Sequence, residues 1–113
     1  MAVNKKNKLR VIKDYEKLDK DIKEQIKLVY PDGYSEHIIE FTNQKGEIVH
    51  ALRFETDDKI YLVRMTVEKA LQLIEDDNDY DDDGILKEVM KEKYEYKHSE
   101  IDYLSENENY SDD

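Results

Sequence analysis

His37-Ile38-Ile39-Glu40-Phe41-Thr42, Glu47-Ile48-Val49-His50-Ala51-Leu52-Arg53-Phe54-Glu55 and Lys59-Ile60-Tyr61-Leu62-Val63-Arg64-Met65 follow one another with only short gaps. All three runs are rich in β-branched and aromatic residues and repeat with a period close to two, which predicts half-buried strands. Asn43-Gln44-Lys45-Gly46 separates the first pair and Thr56-Asp57-Asp58 the second. Connections this short leave no room for a crossover, so consecutive strands must be antiparallel neighbours. Residues 37–65 therefore predict a three-stranded antiparallel meander, stable by itself once one face is covered.

Covers for that face lie on either side. Upstream, Leu18, Ile22, Ile26 and Val29 recur at helical spacing, with Lys20, Lys23, Glu24 and Lys27 on the opposite, solvent-facing side. Asp19 suits the N-cap, because its carboxylate can accept an orphan backbone N–H. Pro31-Asp32-Gly33 ends the helix, since proline cannot continue it and glycine permits a left-handed turn. Downstream, Thr66 is placed to cap a second helix carrying Val67, Ala70, Leu71 and Ile74. Leu9-Arg10-Val11-Ile12 reads either as a further strand or as an extended arm docked on the core. Ile85, Leu86, Val89 and Met90 suggest a last, weakly amphipathic helix, opposed by the like-charge pairs Glu88/Glu92 and Lys87/Lys91. The expected fold class is α+β: a small antiparallel three-stranded meander packed by two helices, with an acidic C-terminal helix or tail and a fourth short strand left open.

The expected organisation is a flexible basic head (1–8), an α+β core (9–75), an acidic loop (76–84), a C-terminal helical segment (85–104) and a disordered acidic tail (105–113). Charge marks these divisions. The chain has 113 residues, 42% of them charged, and a formal net charge of −11. Residues 1–28 carry net +4, residues 29–74 net −3 and residues 75–113 net −12. The absence of cysteine excludes disulfides, thiolate metal sites and cysteine nucleophiles. No run approaches the ~18 apolar residues needed to cross a bilayer. No apolar run follows Met1-Ala2-Val3-Asn4-Lys5-Lys6, so a secretory leader is not expected and a cytoplasmic location is.

Candidate sites concentrate in the acidic tract. Asp79-Tyr80-Asp81-Asp82-Asp83-Gly84 has the opening of a calcium loop, with carboxylates at alternate positions and a glycine for the bend. Its aliphatic eighth position is filled by Leu86, but the twelfth, which needs a bidentate glutamate, is Met90. Asp79, Asp81 and Asp83 are thus weaker candidates for a Ca or Mg ion than for diffuse cation attraction from a solvated linker. A two-metal phosphoryl-transfer centre needs ligands from separate rigid elements around a shaped cavity. All these aspartates lie on one tract, and no glycine-rich phosphate loop accompanies them, so no catalytic residue is assigned and the chain is not expected to be an enzyme. His37 and His50, on neighbouring strands, raise a zinc pair that weighs less than two exposed sheet residues.

Nine tyrosines and no tryptophan is an unusual aromatic usage. Tyr15, Tyr30, Tyr34 and Tyr61 flank the core and would pad it with their hydroxyls at the surface. Tyr80, Tyr94, Tyr96, Tyr103 and Tyr110 stand among carboxylates, where tyrosine suits an interface because it buries area at little entropic cost. Packing of a short C-terminal helix explains them equally well. Lys5, Lys6, Lys8 and Arg10 could touch phosphate, but the net charge disfavours direct nucleic-acid binding.

Leu9-Arg10-Val11-Ile12-Lys13-Asp14-Tyr15, Leu28-Val29-Tyr30-Pro31, Phe54-Glu55-Thr56-Asp57-Asp58, and Ile74-Glu75-Asp76-Asp77 through Asp81-Asp82-Asp83-Gly84 together resemble a family of short acidic proteins of Bacteroidetes bacteria. Some members carry the label DNA primase. The resemblance spans residues 9–96 and implies, through that label, an accessory part in DNA replication. It carries over no catalytic residue, since neither a cysteine zinc ribbon nor the separated carboxylates of a primase centre is matched. The residues themselves point to an interaction protein. Asp79, Tyr80, Asp81, Asp82, Asp83, Tyr94, Tyr96 and Tyr103 would bind a basic protein surface, such as that of a polymerase or ribosomal protein, by long-range attraction.

Overall fold

The computed structural model describes residues 8–98. Its elements are β1 (Leu9–Asp14), α1 (Lys20–Val29), β2 (Ile38–Thr42), β3 (Ile48–Glu55), β4 (Lys59–Arg64) and α2 (Val67–Glu75), followed by helical turns over 88–98 (α3). The expected meander is present: β2 pairs antiparallel with β3 and β3 with β4. Asn43 builds the first hairpin by accepting the N–H groups of Lys45 and Glu47 on its side-chain oxygen, each at 2.9 Å. Gly46 closes the turn at φ +82, a backbone region that a side chain would strain.

The sheet is nonetheless mixed and four-stranded, in the order β1-β4-β3-β2. Leu9–Asp14 is a full strand, parallel to β4 in a register from Leu9↔Lys59 to Asp14↔Arg64. This corrects the purely antiparallel three-stranded expectation. The chain leaves β1, crosses through α1 and enters β2 at the far edge, so β1 and β2 run parallel with β4 and β3 between them. A crossover helix is what parallel strands require. Ion pairs fasten both ends of the new edge, Arg64 Nε to Asp14 Oδ1 at 3.0 Å and Lys8 to Glu55.

Alternation gives the sheet two unlike faces. Leu52, Phe54, Val63 and Met65 face the helices and form one cluster with Leu18, Ile26, Tyr34 and Ala70. Arg10, Ile12, Ile39, Phe41, Arg53, Ile60, Leu62 and Arg64 have the opposite parity, and no described helix covers them. Helix starts follow local chemistry unevenly. Thr66 accepts the Lys69 N–H at 3.0 Å, as its position predicts, whereas Asp19 occupies the N-cap of α1 without making a side-chain bond.

Three further expectations change. Glu24, placed on the solvent face of α1, is buried, as is most of the Lys27 side chain. Tyr34 is 1% exposed, so its hydroxyl is not at the surface. His37 lies in a 3-10 turn, Ser35–His37, before β2 begins. Residues 1–7 of the head (1–8), residues 99–104 of the C-terminal segment, with Ile101, Tyr103 and Leu104, and the tail at 105–113, with Tyr110, lie outside the described residues.

Candidate functional site

The acidic tract is a built loop, not a linker. Asp77 Oδ1 accepts the Asp79 N–H at 2.9 Å, and Asp81 Oδ1 accepts those of Asp83 and Ile85 at 2.9 and 3.0 Å. Such side-chain acceptors fold short acidic stretches into turns. The Asp81 N–H donates to Ile85 O at 2.8 Å, and an antiparallel bridge joins Tyr80 to Leu86. The loop docks on the end of α1. The Leu86 N–H donates to Pro31 O at 2.7 Å and the Tyr80 hydroxyl to Tyr30 O at 3.0 Å. Tyr80 and Leu86 are buried, and the Tyr80 ring stands edge-on to Tyr34 with centroids 6.2 Å apart.

Lys27 neutralises this dock. Its ammonium lies 2.8 Å from Asp77 Oδ2 and 2.8 Å from Asp79 Oδ2. The Tyr94 hydroxyl of α3 donates to Asp79 Oδ2 at 2.6 Å. Burial alone would lower the lysine's pKa, but the two carboxylate hydrogen bonds outweigh it and push the ammonium above the usual lysine range. Burial likewise works to raise Asp79, and the bonds from Lys27 and Tyr94 overcome it, holding the carboxyl below its ordinary value. Burial, reinforced by the bond to Asp79, pushes the Tyr94 phenol up, so it stays a donor.

A second polar cluster closes α3 on α1. Glu24 Oε1 lies 2.9 Å from His98 Nε2 and 2.9 Å from Lys97 Nζ, with Asp21 Oδ1 at 3.4 Å from the same ammonium. Burial disfavours the Glu24 carboxylate, yet the Lys97 and His98 bonds leave its pKa lowered. Asp21, Glu24 and His98 offer ligand atoms within 4.8 Å of one another, a donor set that zinc or manganese accepts. Lys97 already supplies a positive charge there, so the arrangement is satisfied as an ion-paired clasp.

The candidate partner-binding residues separate into two groups. Tyr80 and Tyr94 are inside the fold and Asp79 is half-buried, their polar atoms used by neighbouring elements. Asp81, Asp82 and Asp83 are exposed, and Tyr96 is 72% exposed on α3. Tyr103 is outside the described residues. The alternate carboxylates of the calcium reading are also apart in role: Asp79 is taken by Lys27 and Tyr94, while Asp81 caps a turn. His37 engages Asp32 at 3.3 Å and His50 engages Glu40 at 3.2 Å, so they do not act as a pair.

Between the loop, α2 and the Pro31–Ser35 turn runs an open groove of about 850 Å³. Asp32, Glu75, Asp77, Asp81, Asp82 and Asp83 line it, against one cation, Lys87. Leu71 and Ile74 of α2 supply apolar wall, and Leu71 is 56% exposed. Asp32 was missed in the sequence because it is far from the tract along the chain and meets it only when the loop folds back, whereas Glu75 and Leu71 adjoin the tract but were read as parts of the second helix rather than as walls of a groove. Comparison with known proteins finds no matching family model, no matching curated protein and no matching solved structure.

Proposed function

We propose that this chain is a non-enzymatic binding protein whose acidic groove takes a lysine- or arginine-rich segment of another protein. The observation that carries this reading is the groove itself: six carboxylates set along an apolar wall, with the loop that bears four of them held in place by hydrogen bonds. The exposed carboxylates attract a cationic partner over distance and raise its association rate. At contact, guanidinium or ammonium groups bond to Asp82, Asp83 and Glu75, and their aliphatic stems lie along Leu71 and Ile74. A preformed loop pays little ordering cost on binding, which favours affinity. Suitable partners are basic proteins of nucleic-acid machinery, including a polymerase, a ribosomal protein, or the replication apparatus to which the family resemblance points.

The test is titration of the full chain with a labelled Arg/Leu peptide at low and high salt. It is repeated with the triple variant Asp81→Asn, Asp82→Asn, Asp83→Asn. Asparagine retains the Oδ1 acceptor that Asp81 uses, so the loop keeps its turn while the groove loses three charges. Affinity is expected to fall about tenfold or more in the variant and to weaken steeply with salt. Binding indifferent to both would refute the proposal.

A further inference from the structure

The uncovered face of the sheet has chemistry opposite to that of the groove. A depression of about 730 Å³ crosses all four strands there. Its floor is aliphatic, from Ile12 on β1, Ile60 and Leu62 on β4 and Ile39 on β2, with Phe41 as its aromatic ring. Ile12 and Ile39 are 47% and 39% exposed. Around this floor stand Arg10, Arg53, Arg64 and Lys45, with Glu47 in the lining and Asp14 and Glu55 on the same face as opposing charges. Among the described residues Arg10 makes no ion pair, while Arg53 and Arg64 each donate from one edge of the guanidinium group to Glu55 and Asp14 at 2.7 and 3.0 Å. A locally cationic, apolar-floored surface on a chain of net charge −11 is a local departure from the overall charge. An exposed apolar patch rimmed by charge marks an interaction site.

We propose that this face binds a partner protein's acidic segment carrying aliphatic side chains. Charge complementarity selects the sign of the occupant: carboxylates meet Arg10, Arg53 and Arg64, where bidentate guanidinium pairing gives both orientation and strength. The floor selects its side chains. Ile12, Ile39 and Ile60 over the buried Leu62, with a single half-buried ring, give leucine or isoleucine a place to bury but offer one stacking platform where single-stranded nucleic acid uses several. A second copy of the chain would bring the same net negative charge and repel across the rest of its surface. The two faces of the molecule would then hold partners of opposite charge.

The experiment is fluorescence anisotropy of the full chain with a labelled ten-residue peptide alternating aspartate and leucine. Comparison probes are a peptide alternating lysine and leucine and a single-stranded oligonucleotide. The acidic peptide is expected to bind, and Arg10→Ser and Arg53→Ser each to weaken it about tenfold, as loss of a charge-assisted bond does. The melting temperature of each variant confirms that the sheet is intact. The lysine peptide is expected to bind only in the acidic groove. Lysine-peptide binding weakened equally by the two arginine variants, or displacement of the acidic peptide by the oligonucleotide, would overturn the assignment. So would tighter peptide binding on removal of residues 99–113, which would give the face to the chain's own acidic end. Peptide-sensitive self-association would give it to a second copy, and unchanged affinity in both arginine variants would remove the site altogether.

Discussion

Lys27 shows how much one side chain can decide here. It is a lysine on a helix rich in lysines, yet it alone reaches both Asp77 and Asp79. Removing one partner from a largely buried pair leaves charge uncompensated, which costs more than the pair contributes while intact. Lys27→Met is expected to destabilise the chain by about 2 kcal/mol, below the fully buried range because the cluster keeps some solvent. Urea denaturation measures this directly, and a cost under about 0.5 kcal/mol, typical of exposed pairs, would show that the loop is held by other means. Tyr34 makes the converse case. Its ring lies 6.1 to 6.3 Å from those of Tyr15, Tyr30 and Tyr80, and its hydroxyl finds no well-formed hydrogen bond among the described residues. A buried hydroxyl so placed contributes little, so Tyr34→Phe is expected to be neutral or to stabilise by up to about 1 kcal/mol. A loss above that in the same denaturation assay would reveal a bond essential to the tyrosine cluster. Neither residue's role was legible in the sequence. Periodicity assigns Lys27 and Glu24 to a polar face, and a polar face is ordinarily solvated. What reverses that expectation is a second layer arriving from more than 50 residues away along the chain, bringing the opposite charges with it.

At the level of elements, the parts specified by neighbouring residues were readable. The β2–β3 hairpin follows from Asn43 and Gly46, and the stop of α1 from Pro31 and Gly33, whose φ of +95 only glycine adopts without strain. The parallel partnership of β1 with β4 was not readable, because Leu9 and Lys59 meet through an intervening helix and hairpin rather than a local turn. The two N-caps separate residue type from actual bonding. Thr66→Ala is expected to cost about 1 kcal/mol, because its hydroxyl takes the Lys69 N–H. Asp19→Ala is expected to cost only a few tenths, through the helix dipole, because its carboxylate takes none. Thermal melting of both variants checks the contrast, and equal losses would contradict it. The acidic loop occupies a middle ground: its composition announced charge and a bend, while its docking on α1 depends on Tyr80 and Leu86, whose burial no local pattern records.

For the whole molecule, ion pairing sets a pH window. Glu24 and Asp79 have carboxyl pKa values lowered by folding, so their contribution is complete above the ordinary carboxylate value of about 4. It is lost as pH falls through their depressed folded values. Lys27 is raised by folding, so its contribution is complete below the ordinary lysine value of about 10.4 and is lost as pH rises through the raised one. Stability is therefore expected to be flat through neutrality and to decline on acidification below about pH 4. Urea midpoints at pH 7, 4 and 2.5 report this, and a midpoint unchanged at pH 2.5 would deny these carboxylates the role. The sequence had placed the end of the core at residue 75. Tyr80, Leu86, Tyr94 and His98 are all buried beyond it, so the packing continues to residue 98 and unfolding is expected to take these residues with the core. A chain ended after Glu75 is expected to melt well below one ended after His98, and calorimetry of the two would decide the point.

Helix α1 is thus held on two flanks, by the sheet on one and by the folded-back acidic loop with α3 on the other, while Asp21 and Val29 stay exposed. A protease meeting this protein would find the side chains of Asp81, Asp82 and Asp83 exposed, but the backbone of the acidic loop tied into turns by Asp77 and Asp81. Should that stretch ever be prised away, the first thing uncovered would be a ring of tyrosines and two stranded charges, so departure of the loop and loss of the native state should be a single event.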